Sequence, residues 1–416
     1  MRISSRAQRI EPFYVMEVAK VASALAREVA HSASPMIFLN IGEPDFTAPP
    51  LVQEAACKAV RDGSTHYTPA TGMLPLRERI SDWYLQRFGV SVPASRIVVT
   101  AGASAALQLA CLALIESGEE ILMPDPSYPC NRHFVSAADG NAVLIPTTAS
   151  ERFQLSADKV QAAWGEKTNG RTGNTRGVLL ASPSNPTGTS IHPDELRRIH
   201  SVVSNKGGIT LVDEIYLGLS HDPQYGQTSL ALDENIISIN SFSKYFNMTG
   251  WRLGWMVVPL PLVPVIERLA QNLFICPSTI SQHAALACFE SASLVEYERR
   301  RAEFKARRDY FIPALNALGL NVPVPPDGAF YAWADCSDAC KRLADKLGND
   351  ASKSGNDASV MDSWELSFEI MQRAHVAVTP GRDFGTADTR NFIRFSTASS
   401  MPQLKLAIER LKVLLS

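Results

Sequence analysis

One lysine, two arginines, an aspartate, a tyrosine and an asparagine carry the reactive chemistry of this chain, each placed where an apolar run ends. Lys244 closes Ser241-Phe242-Ser243-Lys244, directly after the run 236–239. A lysine there is either a surface cation with a buried stem or a desolvated amine able to act as nucleophile. Eight residues on, Arg252 sits between Trp251 and Trp255 and between Gly250 and Gly254. Such neighbours suit a buried guanidinium gripping phosphate through two N–H bonds. Asp213 ends the run 209–212, and Tyr216 follows three residues later. An acid after an apolar strand needs a cation or hydrogen-bond donors, or else it caps the next helix. In Ser182-Pro183-Ser184-Asn185-Pro186-Thr187-Gly188, two X-Pro bonds fix an irregular loop, with a cis bond allowed at one of them. Asn185 either caps backbone groups there or donates its amide to a ligand oxygen. Thr100-Ala101-Gly102-Ala103-Ser104 lets backbone N–H groups approach an anion where a helix begins. Arg394 lies inside the apolar stretch Asn391-Phe392-Ile393-Arg394-Phe395-Ser396. It is either a buried structural cation or a fork for a carboxylate.

The elements that must position these groups are legible in the same runs. Strands are predicted at 96–100, 120–123, 142–145, 177–180, 209–212, 236–239 and 255–258, with helical patterns between them. Continuous apolar runs imply strands buried on both faces of a mostly parallel sheet, whose ligands collect at the strands' C-terminal ends. The expected fold is therefore α/β, a mostly parallel seven-stranded sheet flanked by helices, with a smaller α+β domain. Pro193-Asp194-Glu195 marks a helix start, because a proline and two acids suit the first turn. From about Ser291 the texture changes. Tyr297-Glu298-Arg299-Arg300-Arg301 opens a long charged helix that reads as a solvated connector. A Pro-rich turn (322–326), a strand (329–334), a helix and a strand ending at Phe395 follow. Residues 346–361 repeat Gly-Asn-Asp-Ala-Ser and read from composition as a mobile surface insertion without a chemical role.

Composition narrows the classes. The 416 residues exceed what one core supports, so two domains are expected. Lys plus Arg total 40 against 42 for Asp plus Glu, a balance that argues against nucleic-acid and membrane-surface binding. The seven cysteines are scattered and form no metal-ligand pattern, so no metal is expected and a reduced, cytoplasmic setting is. No secretion signal is visible at the N-terminus. The uncharged stretch 97–115 imitates a membrane span, but its Ala-Gly-Ala-Ser centre breaks it into a strand and a helix.

With SFSKYFNMTGWRLGW, SNPTG and LVDEIY in this order, the chain resembles the class I/II aminotransferases, the aspartate-aminotransferase-like family of fold type I. IGEPDF, HYTPATG, VVTAGAS, PSYP, GAFYAW, PGRDFG and FIRFS extend the likeness over nearly the whole sequence. The resemblance implies a ping-pong exchange between an L-amino acid and a 2-oxo acid, with pyridoxal 5′-phosphate held as a Schiff base on Lys244. It implies that Lys244 moves the proton as general base and acid, and that Asp213 pairs with the pyridinium nitrogen. Tyr216 and Asn185 would bond the cofactor's O3′, and Tyr128 would stack on its ring. The backbone of Ala103 and Ser104, with Ser241, Ser243 and Arg252, would hold the phosphate. Tyr67 would reach the phosphate of a neighbouring subunit, which implies a homodimer. Gly42, Asn185 and Arg394 would bind the substrate carboxylate.

The domains expected on this footing are an N-terminal arm with part of the small domain (1–49), a large cofactor domain (50–290) and a small C-terminal domain (291–416). One departure stands out. The family's best-known members take the distal carboxylate of aspartate with an arginine that follows the large domain, and 269–298 here contains none. Arg382 in PGRDFG is a candidate substitute for that arginine, although it reads mainly as a surface residue. Phe13, Tyr14 and Tyr331 suit either core packing or a pocket for an apolar side chain. A lyase working on the same scaffold, by β-elimination for example, and a non-catalytic cofactor-binding regulator are the alternatives.

Overall fold

The computed structural model describes residues 2–167, 171–351 and 361–416. Seven strands form the main sheet: β2 (Ile97–Thr100), β3 (Glu120–Asp125), β4 (Asn141–Pro146), β5 (Thr175–Ala181), β6 (Ile209–Asp213), β7 (Ile237–Ser241) and β8 (Gly254–Val257). Their order is β2-β8-β7-β6-β5-β3-β4. Only β8 runs antiparallel to its neighbours, β2 and β7. The expected seven-stranded, mostly parallel sheet is therefore present, with strand ends shifted by a few residues. Its apolar runs are continuous because both faces are covered. Leu179, Leu211 and Ile237 enter one core with Leu107 and Leu109 of the helix Ala103–Leu114. Val178, Leu180 and Val212 alternate to the other face, against Ile199 and Val203 of the helix Pro193–Asn205. The membrane-like stretch divides as its small residues require, into β2, a turn and the helix Ala103–Leu114. Among the described residues no helix is long and apolar enough to cross a membrane.

A second layer is built from β1 (Ile37–Phe38), β9 (Tyr331–Asp335), β10 (Val376–Ala377), β11 (Thr379–Pro380) and β12 (Phe392–Ser396). β9, β12 and β11 form an antiparallel sheet, while β1 pairs in parallel with β10. The segment after the N-terminal helix is thus stitched into the C-terminal part of the chain. That helix, Tyr14–Glu28, packs Val18 and Ala22 against Met371 and Ala377.

Two expectations need correction. The charged helix begins at Ser291, not Tyr297, and runs to Ala317. It is no simple solvated connector: Tyr297, Arg300, Phe304, Arg307 and Phe311 are buried on one face at helical spacing. Arg307 holds both oxygens of Asp45 at 2.8 and 3.0 Å, and Arg300 donates to Asn247 Oδ1 at 2.8 Å. The arginines are buried because the segment around Asp45, from the IGEPDF motif, docks on them. The stretch expected as an insertion from 346 likewise starts inside a helix, Ser337–Ala351, where Lys346 Nζ donates to the Ser416 carbonyl at 3.1 Å. Residues 352–360 lie outside the described residues.

Candidate active site

The C-terminal ends of β5, β6 and β7 meet β9 and β12 of the second layer around a cavity of about 250 Å³. At one end, β2 gives way to the helix Ala103–Leu114 through Gly102, whose φ of +87° only glycine adopts without strain. Free N–H groups of that first turn face Ser241, Ser243 and Arg252 across the cavity. The two serines are preset: Ser241 Oγ donates to Ser243 Oγ at 2.9 Å and accepts from the Ser243 N–H at 3.0 Å. Arg252 departs from expectation, because it is exposed in the single chain. A left-handed backbone (φ +52°) turns its side chain toward the cavity, where Nη2 lies 2.7 Å from the place a Cβ on Gly102 would occupy. Helix N–H groups, two hydroxyls and a guanidinium together make an anion cradle.

The middle of the cavity holds a carboxylate and an amine that burial has shifted toward each other. Asp213, at the end of β6, is buried and accepts one N–H bond, from Ile215 at 3.0 Å. Desolvation pushes its carboxyl up to about 7. Lys244 is part-buried along its stem, with its amine inside the cavity, where desolvation brings it down to about 8. It donates to the Gly42 carbonyl at 2.6 Å. This is the desolvated amine rather than the surface cation. Tyr216 meets Tyr331 hydroxyl to hydroxyl at 2.7 Å, and Phe13 sets its edge against the Tyr128 ring. Both X-Pro bonds of the Asn185 loop are cis, as is a third at Asp125-Pro126.

At the far side Arg394 is 2% exposed. Its Nη1 donates to Asn185 Oδ1 at 2.8 Å and its Nη2 to the Asn40 carbonyl at 2.6 Å, with the rings of Tyr331 and Phe384 on its faces. Among the described residues it has no carboxylate partner within ion-pair distance, which sets it apart from the buried salt bridge that its sequence setting allowed. Asn185, having spent its oxygen on Arg394, keeps its amide N–H groups for a ligand.

The cavity therefore gathers Gly42, Ala103, Ser104, Tyr128, Asn185, Asp213, Tyr216, Ser241, Ser243, Lys244, Arg252 and Arg394. Tyr67 is not among them; it is 80% exposed. Of the three aromatic candidates, Phe13 and Tyr331 line the cavity. Tyr14 turns away onto Trp364, and Arg382 stacks on both of those rings from the solvent side. Sequence reasoning missed the wall formed by Val15, Met16 and Ile41. The apolar stripe Val15, Val18, Ala19 and Ala22 announces a helix with one buried face, but not what that face covers. Among the described residues no cluster suited to a metal ion occurs.

The sequence model of the family "Aminotransferase class I and II" matches residues 34–411. The chain is 34% identical over 412 residues to a valine–pyruvate aminotransferase of Mycobacterium tuberculosis, covering 99% of this chain and 97% of that one. It is 32% identical to an aspartate aminotransferase of Rhizobium meliloti, covering 97% and 95%. Among solved structures, an aminotransferase from Mycobacterium tuberculosis superposes with a TM-score of 0.88 at 33% identity, over 100% and 99% of the two chains. Aspartate aminotransferase from Thermus thermophilus with maleate gives 0.87 at 28% identity, over the full length of both.

Proposed function

Because the chain belongs to the class I and II aminotransferases and is itself an aminotransferase, we propose that pyridoxal 5′-phosphate is its cofactor and Lys244 the residue that carries it. The observation that carries this reading is the buried pair itself. Lys244 is brought down to about 8 and Asp213 pushed up to about 7 in one cavity, where the Ile215 N–H and the Lys244 charge only partly offset the desolvation of Asp213. The cavity's groups fit the cofactor part by part. An amine with a depressed pKa suits an aldehyde, a desolvated carboxylate suits a protonated ring nitrogen, and the cradle at Gly102 suits a phosphate.

When bound, the cofactor supplies an electron sink that makes the substrate's Cα–H acidic. The rest of the work falls to the chain. Arg394 and the Asn185 amide hold the substrate's α-carboxylate, with Gly42 beside them. The Lys244 amine takes and returns the proton at Cα, a task matched to a base near neutrality. Asp213 would pair with the ring nitrogen and favour its protonated form, Tyr216 and Asn185 would hydrogen-bond the ring oxygen, and Tyr128 would pack against the ring. Ala103, Ser104, Ser241, Ser243 and Arg252 anchor the phosphate. The second layer closes the site, so residues of 1–49 and 291–416 act as a small domain against a large one, 50–290. Tyr67 is exposed enough to enter a second copy's site, which supports a homodimer. A cytoplasmic enzyme with small-molecule partners alone, neither nucleic acid nor membrane, completes the reading.

Purified protein given pyridoxal phosphate should develop a visible absorption band that borohydride fixes covalently to Lys244. A labelled peptide elsewhere, or no band, would sink the assignment. Ammonia and pyruvate released without any 2-oxo acid acceptor would favour a lyase on this scaffold instead.

A further inference from the structure

We propose that both substrates of this enzyme are apolar monocarboxylates: an aliphatic or other uncharged amino acid as donor and a 2-oxo acid of the same kind as acceptor. The inference rests on the aminotransferase reading above and adds what the cavity says about the side chain.

Among the described residues three cations line the cavity, Lys244, Arg252 and Arg394, and each already has a task there. The wall left for a side chain is made of Phe13, Val15, Met16 and Ile41, of which Met16 and Ile41 are themselves exposed in the single chain. It offers no side-chain hydrogen-bond donor. Behind it stands a carboxylate rather than a cation: buried Asp383 accepts the Val15 N–H through Oδ2 at 2.9 Å. The nearby arginines are turned to other work. Arg132 donates to the Asp383 carbonyl at 3.1 Å and pairs with Glu11, while Arg382 lies on the Trp364 ring outside the cavity. Neither 63–76, around exposed Tyr67, nor 269–298 contains a lysine or an arginine that a neighbouring copy could offer.

A distal carboxylate placed against this wall would lose water without gaining a partner, whereas a branched aliphatic chain gains by being buried. In a ping-pong exchange donor and acceptor occupy the same cavity in turn, so the restriction falls on both. Phe13, Val15, Met16 and Ile41 are on this reading the residues that set specificity, and Arg394 binds the one carboxylate each substrate has.

The test uses the holoenzyme in two arms. In the first, the amino-donor half-reaction is followed with alanine, valine, leucine and phenylalanine against aspartate and glutamate. The apolar donors should exceed both dicarboxylates in kcat/KM by at least about tenfold, the effect of an unpartnered buried charge on a barrier. In the second, calorimetry compares isovalerate with succinate as dead-end ligands, and isovalerate should bind at least about tenfold more tightly. Aspartate or glutamate matching the apolar donors, or succinate matching isovalerate, overturns the proposal and leaves the aminotransferase reading intact. Failure of every amino acid to convert the enzyme overturns that reading and the proposal with it.

Discussion

The hydroxyls of Tyr216 and Tyr331 lie 2.7 Å apart and tie the segment after β6 to the first residue of β9. Both side chains are buried against the protein except where they line the cavity, and the bond joins its two walls. Tyr331→Phe should therefore destabilise the protein by about 1 kcal/mol, the net worth of one hydrogen bond. Thermal unfolding measures it. An unchanged transition would mean that the contact holds nothing together.

Asp213 is a case where the stable choice and the working choice differ. With its carboxyl at about 7, well above the ordinary 3.8, the cofactor-free fold holds a proton that the unfolded chain releases. Stability is therefore fully present at low pH and is lost as pH rises from about 4 through 7. Asp213→Asn keeps the Ile215 N–H bond and removes the charge. At pH 8 the cofactor-free variant should be more stable than wild type, by up to about 3–4 kcal/mol. Its turnover should fall at least about a hundredfold, because a neutral amide cannot hold the ring nitrogen protonated. Denaturant melts of both cofactor-free proteins, alongside steady-state rates, check the two signs independently.

Lys244 carries the opposite sign. Its amine sits near 8 in the fold against an ordinary 10.5, so between those values the folded protein has released a proton the unfolded chain still binds. Stability of the cofactor-free protein from this group rises with pH across that window. The same shift sets reactivity. Trinitrobenzenesulfonate should modify Lys244 at a rate that climbs to a plateau just above pH 8, while exposed lysines keep climbing toward about 10.4. Peptide mapping at a series of pH values separates them. A Lys244 profile that follows the surface lysines would remove the case for a tuned amine.

How much of this was legible follows from what each feature depends on. The seven strands could be read because burial on both faces leaves an uninterrupted apolar run, and the reactive residues stand at the ends of those runs. Asp213, Lys244 and Asn185 were therefore locatable one strand at a time. Arg252 was misjudged as buried, since its placement depends on a left-handed turn that its neighbours do not announce. The helix carrying Arg300 and Arg307 reads as solvated; the burial of these two depends on Thr47 and Asp45, more than 250 residues earlier, docking onto it. Val15, Met16 and Ile41 are ordinary apolar residues locally, and only the packing of the second layer turns them into a cavity wall.

Gly102 offers the sharpest test of the anion cradle. Its φ of +87° lies where a side chain is strained, and a Cβ would sit 2.7 Å from Arg252 Nη2. Alanine there should cost about 1 kcal/mol in backbone strain alone. The second consequence is specific to the site. The Arg252 guanidinium must move away from the helix N-terminus, and the backbone can no longer approach an anion closely. Gly102→Ala should therefore weaken pyridoxal phosphate binding at least about tenfold, measured by titrating the cofactor-free protein. Pyridoxal without its phosphate should lose far less, because it never uses the cradle. Equal losses for the two ligands would trace the defect to general distortion, and the assignment of the phosphate to Gly102, Ser241, Ser243 and Arg252 would fall.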